Sequence, residues 1–144
     1  MKCPKCGNIL KKKSHKSIEV DYCANCKGMW LDLDELDQLE DNVFDEDRLK
    51  GTLIFSSVVS EHHCPHCDAE LKQFRYRLHD LELEFCENQH GFWLDEGEEK
   101  RVLELMKIRK KNMKRKSEAE EDWGKTLHQL KSKSFLNKLG GLFK

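Results

Sequence analysis

The chain has no long hydrophobic run and no familiar catalytic motif. No apolar stretch approaches the 18 residues that a membrane-spanning helix needs, so we expect no transmembrane segment. The start of the chain lacks the apolar core of a secretory signal, which leads us to expect a cytoplasmic protein with reduced cysteines. There is no Ser/His/Asp pattern, no glycine-rich phosphate loop and no HExxH sequence. We therefore expect that the protein is not an enzyme.

An internal repeat built around cysteine pairs is the most informative feature. Cys3-Pro4-Lys5-Cys6 returns as Cys64-Pro65-His66-Cys67, and Met29-Trp30-Leu31-Asp32 returns as Phe92-Trp93-Leu94-Asp95. Each copy is about 43 residues long, which is too short to bury an adequate core without a further staple. In a reducing compartment, a bound metal ion is a better candidate for that staple than a disulfide.

The first copy carries four cysteines at the spacing of a zinc site. They are Cys3, Cys6, Cys23 and Cys26, arranged as two CxxC pairs that are separated by 16 residues. Gly7 behind the first pair permits the tight turn in which backbone N–H groups face the sulfurs. Zinc held by four thiolates is the main interpretation. The alternatives are rubredoxin-type iron, thiol redox chemistry, and four buried cysteines without a metal.

The second copy keeps three of these ligands and changes the fourth. Cys64, Cys67 and Cys86 stand where the repeat predicts, but Gln89 occupies the place of Cys26. His90 follows directly, and its longer side chain makes it the predicted fourth ligand. His62, His63, His66 and His79 are alternatives. An open fourth position is a further alternative, and it would matter because zinc with an open position can activate water.

The segments around the cysteines predict a small α+β fold. Ile18 to Tyr22 alternates apolar and charged residues, as a half-buried strand does. Asp32 and Glu35 resemble a capping box that starts a helix over about residues 33–43, with Leu33, Leu36, Leu39 and Val43 on its apolar face. Asp95 and Glu98 repeat this start, and Val102, Leu105 and Met106 form the second apolar face. Trp30 and Trp93 are predicted to cover the metal sites; the alternative is a platform for stacking nucleic-acid bases.

The predicted fold class is a small, metal-stabilised α+β protein: two tandem zinc ribbons of short β-hairpins, each followed by a helix, and a long basic helical tail. We place the first ribbon at residues 1–43, a linker at 44–63, the second ribbon with the start of a long helix at 64–106, and the tail at 107–144. The linker is ambiguous between a short strand and a buried helical turn, and we favour an extended segment.

Charge is distributed unevenly along the chain. Residues 1–63 carry a net charge of −3, residues 64–106 carry −6 and the tail carries +8. Seven of the ten residues from 107 to 116 are basic: Lys107, Arg109, Lys110, Lys111, Lys114, Arg115 and Lys116. Such a run predicts contact with an anionic partner such as nucleic acid. The alternative is a solvated helix, or a tail that folds back on the acidic body.

The end of the chain, from Trp123 to Lys144, interleaves apolar residues with lysines. Those residues are Leu127, Leu130, Phe135, Leu136, Leu139, Leu142 and Phe143. This pattern is typical of a basic amphipathic segment, which suits a partner groove or a membrane surface. We favour docking to a protein because the segment is short and is interrupted by Gly140 and Gly141.

The cysteine motif resembles that of a known family. Cys3-Pro4-Lys5-Cys6-Gly7, followed by Cys23-x2-Cys26-x-Gly28-x-Trp30-Leu31-Asp32-x2-Glu35-Leu36, resembles the zinc-ribbon domain named after general transcription factor IIB. The resemblance covers about residues 1–40, and a weaker copy covers about 64–103. It implies a bacterial protein with tandem domains of this type, and zinc binding through the matching positions. The second copy departs from the motif at Gln89 and at Asp68, which replaces the glycine of the first copy.

Together these features predict two structural Zn²⁺ ions and no catalytic residues. The leading hypothesis is a module that binds nucleic acid or a nucleoprotein machine of transcription or translation through its tail. The alternative is a protein–protein adaptor or chaperone-like protein that docks through the ribbons and the C-terminal apolar segment. An enzyme with an open second zinc is the third hypothesis.

Overall fold

The computed structural model describes residues 1–43, 54, 56–131, 137 and 140–141 of the chain. It divides the chain into two compact units, residues 1–107 and residues 108–144. The first unit holds both cysteine-rich copies, which we call the first copy (residues 1–43) and the second copy (residues 64–106). The C-terminal apolar residues Phe135, Leu136, Leu139, Leu142 and Phe143, and residues 44–53 and 55 of the predicted linker, lie outside the described residues.

The first copy contains three strands and a helix. Strand β1 (Lys11–His15) pairs antiparallel with β2 (Ile18–Tyr22), and β2 pairs with β3 (Met29–Leu31). Helix α1 spans Leu33–Asp41, with Asn42 as its C-terminal cap. The predicted strand over residues 18–22 is therefore present, and the helix starts where the capping sequence indicates.

The second copy repeats this pattern with an additional strand in front of it. Strand β4 spans Ser57–His63, β5 spans Glu70–Arg75, β6 spans Glu82–Phe85 and β7 spans Phe92–Leu94. A 3₁₀ turn, Tyr76–Leu78, lies between β5 and β6. Helix α2 spans Glu98–Leu130 and continues from the first unit into the second. The last seven residues of the predicted linker thus form β4, which pairs with β5.

The two copies share one antiparallel sheet of seven strands. Its order is β1-β2-β3-β7-β6-β5-β4, so the copies meet where β3 pairs with β7. In that pair Trp30 lies opposite Trp93, its own equivalent in the repeat, while Met29 lies opposite Leu94 and Leu31 opposite Phe92. This register relates the copies by an approximate twofold axis between the two tryptophans. The repeat in the sequence has become a symmetric interface within one chain.

The sheet has two different faces because successive side chains of a strand point to opposite sides. One face packs Met29, Leu31, Phe92 and Leu94 into an apolar cluster with the helices, which contribute Leu36, Leu39, Val102 and Leu105. The other face gathers Trp30 and Trp93 with the buried cysteines of both copies, Leu10 and Leu71. The metal-ligand candidates therefore lie on the face opposite the helices.

Two glycines make the close approach of the copies possible. A Cβ atom at Gly28 would lie 2.3 Å from the Trp93 ring, and one at Gly91 would lie 2.2 Å from the Leu31 carbonyl oxygen. These residues are equivalent in the repeat, and each precedes the strand that joins the two copies. Gly91 also has a φ of +141°, which side chains strongly disfavour. The junction therefore depends on having no side chain at either position.

The two helices start differently, although the sequences at their starts are alike. At α1 the Asp32 carboxylate accepts a hydrogen bond from the Glu35 N–H (2.7 Å), and Glu35 accepts one from the Asp32 N–H (2.8 Å), as the capping sequence predicts. At α2 Glu98 accepts from the Asp95 N–H (2.8 Å). The Asp95 carboxylate instead accepts from the Trp93 indole N–H (3.1 Å) and from Lys5 of the first copy (2.9 Å). Asp95 thus links the copies as well as starting the helix.

A buried ionic network also joins α1 to the second copy. Glu40 is 3 % exposed, and it accepts hydrogen bonds from the Tyr76 hydroxyl and from the Arg77 guanidinium (2.8 Å). Arg77 lies in the left-handed region with a φ of 47°, within the turn between β5 and β6. A buried carboxylate needs such partners, and its pairing specifies where α1 lies against the second hairpin.

In the second unit, every described residue from 111 to 131 is exposed. Trp123, Leu127 and Leu130 are 62 %, 38 % and 40 % exposed. Among the described residues, every helix is either too short or too polar to cross a membrane.

Candidate metal centres

The four cysteines of the first copy converge on one point. The sulfurs of Cys3 and Cys26 are 3.5 Å apart, as are those of Cys6 and Cys23, and all four lie within 4.8 Å of one another. Zinc–sulfur bonds of about 2.3 Å in a tetrahedron place the sulfurs about 3.8 Å apart. The geometry of this cluster, which we call site 1, therefore fits one tetrahedral ion.

In each copy, a tight turn follows the first cysteine pair and helps to bring the ligands together. The Gly7 N–H donates to the Cys3 carbonyl (2.9 Å), with Gly7 in the left-handed region at a φ of 73°. The second copy has the same turn, with the Asp68 N–H donating to the Cys64 carbonyl (2.9 Å) and Asp68 at a φ of 60°. Asp tolerates this conformation better than most residues do, which explains how the turn persists without its glycine.

The second knuckle differs by one residue, and this shift determines the fourth ligand. In the first copy the left-handed residue is Lys27, whose N–H donates to the Cys23 carbonyl four residues earlier. In the second copy it is Gln89, whose N–H donates to the Cys86 carbonyl three residues earlier. The turn is thus one residue tighter, and His90 rather than Gln89 reaches the other ligands.

His90 completes site 2 through its Nδ1 atom. Nδ1 lies 3.5 Å from the Cys86 sulfur and 3.7 Å from the Cys64 sulfur, while the sulfurs of Cys67 and Cys86 are 3.6 Å apart. These four ligand atoms also lie within 4.8 Å of one another. The donor set of three sulfurs and one imidazole nitrogen is typical of structural zinc.

Two of the other histidines that the sequence offered have different surroundings. The Nδ1 atom of His62 lies 2.9 Å from both carboxylate oxygens of Glu84. His66 stacks against the His90 ring, with ring centroids 5.4 Å apart, and belongs to neither group of converging ligand atoms among the described residues. Its ring shields the imidazole that faces the metal position.

Burial and hydrogen bonding shift the pKa values of the first two thiols of each site in opposite directions. Burial raises the pKa of Cys3 well above its usual range and that of Cys64 to about 12. The Asn8 backbone N–H lowers the pKa of Cys6 to about 6, and the Asn88 side chain lowers that of Cys67 to about 6. Because each site joins easily ionised and buried thiols, it needs a cation to hold all its sulfurs as thiolates.

Amide N–H donors around the sulfurs support the interpretation of these cysteines as metal ligands. The Asn8 side chain lies 3.3 Å from the Cys6 sulfur, the Asn88 side chain lies 3.4 Å from the Cys67 sulfur, and the His66 N–H lies 3.4 Å from the Cys64 sulfur. Hydrogen bonds of this kind orient thiolate ligands and disperse their charge. Each of the two sites could hold a structural zinc ion.

Both tryptophans pack with the cysteines, as predicted. Trp30 and Trp93 are each 1 % exposed and belong to the same buried cluster as Cys3, Cys23, Cys64 and Cys86. Such burial leaves neither ring available to stack on a nucleic-acid base. The indole N–H of Trp93 donates to Asp95, whereas that of Trp30 is buried without a partner among the described residues.

The predicted anion-binding residues lie on α2, away from the metal ligands in the sequence. Arg109 is half-buried, and the other six basic residues between 107 and 116 are exposed. Lys114 and Lys116 form ion pairs with Glu118 (4.0 Å) and Glu120 (3.9 Å), one helical turn further on. Exposed pairs of this kind contribute little to stability, so they leave the lysines open to exchange partners. Their binding to an anion stays a prediction.

His15 and Glu99, at the edge of the core, are two residues of interest that were not predicted. Glu99 is 7 % exposed and occupies the repeat position of Leu36. The signal was present in the alignment of the two copies, because a charged residue replaces an apolar one on the inner face of a helix. The Glu40–Arg77 pair has no comparable signal in the sequence.

Comparison with known proteins agrees with the motif of the first copy. No curated protein and no solved structure matches the chain. Residues 2–42 match a family model of zinc ribbons of the transcription factor IIB type, described as a transcription factor zinc-finger. The matched segment contains all four cysteines of site 1. The first copy is therefore similar to a zinc ribbon of this type, and its ligands are assembled as such a ribbon requires.

Proposed function

We propose that the protein is a non-catalytic module of two tandem zinc ribbons that binds nucleic acid, or a nucleoprotein machine of transcription or translation, through its basic tail. The observation that carries this proposal is the exposure of the basic run on α2. Six of its seven Lys and Arg side chains face solvent on one continuous helix. Clustered cations on a rigid helix bind phosphates through counterion release.

The zinc sites support a structural role. Each site offers four ligand atoms from the protein, which fills the tetrahedral coordination of zinc and leaves no position for an activated water. The ribbons then hold the fold and present α2. The acidic character of residues 1–106 makes the tail the part of the chain that suits a polyanion.

The test measures binding of a labelled DNA duplex and a labelled RNA to the full chain across a salt series. We expect the logarithm of the affinity to fall linearly with the logarithm of salt concentration, by about 0.9 per phosphate neutralised on a duplex. A variant with Lys107, Lys111 and Arg115 all changed to Gln should lower that slope by about 2–3.

The matched control changes three exposed lysines of the first copy, Lys2, Lys11 and Lys16, to Gln. It alters the net charge equally, so a contact specific to the tail leaves its salt slope at the wild-type value. Equal binding by the two triple variants, or no binding by the wild type at low salt, would contradict the proposal.

A second candidate function is protein–protein adaptation through the end of α2. Trp123, Leu127 and Leu130 are exposed at positions i, i+4 and i+7, which is the spacing of a helix that docks into an apolar groove. To test this function, we would measure how much partner protein the wild type recovers at high salt. The same measurement on a variant with these three residues changed to Ala gives the comparison. The triple Ala variant of Leu136, Leu139 and Phe143 extends the test to the C-terminal segment. Unchanged recovery with both variants would exclude docking through this face.

A further inference from the structure

The approximate twofold axis of the first unit creates two equivalent clefts on the helix face of the sheet. In each, the start of the helix from one copy faces strands of the other copy. The apolar cleft is lined by Leu33 and Leu36 of α1, by Phe85 and Phe92 of the second copy, and by Ile54. The polar cleft, with a volume of about 250 Å³, is lined by Glu96 and Glu99 at the start of α2 and by Tyr22, Met29 and His15 of the first copy.

Equivalent positions in the two clefts carry opposite chemistry. The repeat aligns Leu33 with Glu96 and Leu36 with Glu99, so two carboxylates replace two leucines at the same places in the fold. Leu36 is 2 % exposed and Glu99 is 7 % exposed, which shows that the two side chains are buried alike. The first copy therefore fills the equivalent buried position with an apolar side chain, which is the residue type that such a position usually holds.

Two buried polar atoms in the polar cleft have no partner. They are Oε2 of Glu99 and Nε2 of His15, and each is inaccessible to solvent and without a hydrogen bond among the described residues. An unpartnered buried polar atom costs roughly 1–3 kcal/mol. Burial lowers the pKa of His15, an effect that the Glu99 carboxylate opposes, and a neutral imidazole has a nitrogen lone pair to offer.

The lysines around this cleft are occupied elsewhere or lie at its rim. Lys13 places its ammonium group 4.0 Å from the centre of the Tyr22 ring, and Lys27 donates to the Ala24 carbonyl oxygen (2.7 Å). Lys100 is exposed on the first turn of α2. Because no lysine among the described residues donates a hydrogen bond to Glu99 Oε2, the unmet requirement of the cleft is for a species that accepts electron pairs from this oxygen and from His15 Nε2 together.

We propose that the polar cleft is a third metal site, in which His15 Nε2 and Glu99 Oε2 bind a divalent transition-metal cation. Imidazole and carboxylate together favour ions such as Zn²⁺ over Mg²⁺ or Ca²⁺. The cleft has room for several waters, at roughly 30 Å³ each, to complete the coordination. With two protein ligands, this site is weaker and more exchangeable than either cysteine site.

The experiment adds Zn²⁺ to the full chain already loaded with its two tightly held ions. Equilibrium dialysis counts zinc per chain, and the ¹⁵N resonances of the histidine rings identify where the added ion binds. We expect a third equivalent, held more weakly than the first two, together with a shift of the His15 Nε2 resonance.

Three variants and one control make the assignment specific. His15→Ala and Glu99→Gln should each weaken binding of the third ion at least about tenfold, because losing a direct ligand costs no less than losing one of the outer-shell partners, whose loss costs about 10–100-fold. Glu99→Leu restores the residue of the apolar cleft, so it should fold and should not bind the third ion. His128→Ala, which changes an exposed histidine of the tail, is the control and should bind like the wild type.

Two results would overturn the proposal. One is a count that stays at two zinc ions per chain at millimolar free zinc with no shift at His15, which would show that the cleft holds only water. The other is a third equivalent that survives both His15→Ala and Glu99→Leu, since this would place the ion at another surface histidine.

Discussion

The two copies of the repeat have the same backbone and have diverged on opposite faces of the sheet in different ways. On the metal face, Gln89 stands in the place of Cys26 and the neighbouring His90 takes its role as a ligand, because a turn tightened by one residue keeps four ligand atoms converging. On the helix face, Leu36 has become Glu99, and nothing among the described residues partners its Oε2 atom. Metal geometry is therefore conserved between the copies by a compensating change of backbone, whereas the equivalent clefts are free to differ.

The symmetric pair of strands β3 and β7 explains this freedom. Trp30 faces Trp93 across the axis, and Gly28 and Gly91 let the backbones approach. As long as these four residues keep the two strands paired in this register, the other elements of each copy occupy equivalent positions about the axis. Four experiments would break or sharpen the comparison between the copies.

The largest effect is expected from removing the fourth ligand of either site. Cys26→Ser and His90→Ala should each leave one zinc per chain, because three ligands hold the ion too weakly against a chelator. Zinc contributes about 10–16 kcal/mol in small domains, which matches or exceeds the whole stability of a typical domain of about 5–15 kcal/mol. The cooperative unfolding of residues 1–107 should therefore be lost in both variants. Two tightly held zinc ions in His90→Ala, measured by native mass spectrometry, would show that another residue is the ligand.

A smaller but still large effect is expected at the junction between the copies. Gly91→Ala places a methyl group against the Leu31 carbonyl at a φ of +141°, whereas Gly28→Ala meets the Trp93 ring and the Leu94 carbonyl oxygen (2.9 Å). We expect a loss of about 2–4 kcal/mol in unfolding free energy for Gly91→Ala and less for Gly28→Ala, because only Gly91 adds a backbone conformation that side chains disfavour to the steric clash. Gly97→Ala is the control, since a Cβ there has open space and only its φ of +88° opposes it. Chemical denaturation of the three variants should rank them in this order.

Exchanging the residues of the two clefts should shift stability in opposite directions. Leu36→Glu buries an unpaired carboxylate, and we expect the unfolding free energy to fall by about 3 kcal/mol or more. Glu99→Leu removes an unpaired buried carboxylate and should raise the unfolding free energy by about 1–2 kcal/mol. This measurement is made with the two cysteine sites loaded and with no further metal ion in the buffer. A decrease for Glu99→Leu would mean that the carboxylate has a partner that stabilises the fold.

The smallest effect concerns the capping glutamates. Burial raises the pKa of Glu98 to about 7 from its ordinary value of 4.5, and raises that of Glu35 as well. A raised folded-state pKa means that stability is lost as the pH rises through this window, because the folded state must then bury a charge. The wild type should lose about 1–2 kcal/mol of unfolding free energy between pH 5 and 8 through Glu98, allowing for its partial exposure, and Glu98→Gln should not show this loss. Subtracting the unfolding free energy of the variant from that of the wild type at each pH separates the contribution of Glu98 from that of the cysteines. Glu35→Gln should show a smaller difference from the wild type.

Much of the local structure could be predicted because it depends on short-range patterns. The alternation over residues 18–22 produced a strand, Asp32 and Glu35 form the predicted capping box, and Gly7 takes the predicted left-handed turn. The predicted inner face of α2, with Val102, Leu105 and Met106, is buried. Cysteine spacing grouped the eight ligand candidates correctly in space, since each pair lies within a single turn of the chain.

Other features could not be read from neighbouring residues. Leu33 is predicted to lie on the apolar face of α1 but is 42 % exposed, because it lies at the mouth of the apolar cleft. Asp95 is predicted to form a capping box, yet its carboxylate accepts a hydrogen bond from Lys5 of the other copy. Both differences arise where the copies meet, and a repeat pattern contains no information on how its copies face each other.

The sequence by itself determined the metal chemistry and the order of the local elements. Ligand spacing, capping residues and alternating apolar residues act over a few positions, and their physical effects are local. Only the tertiary structure decided that β3 pairs with β7 in register, that the copies share one sheet, and that two equivalent clefts result. Those outcomes depend on contacts between residues about 60 positions apart in the chain, where packing and hydrogen bonding across the sheet select one arrangement among many that the same local elements allow.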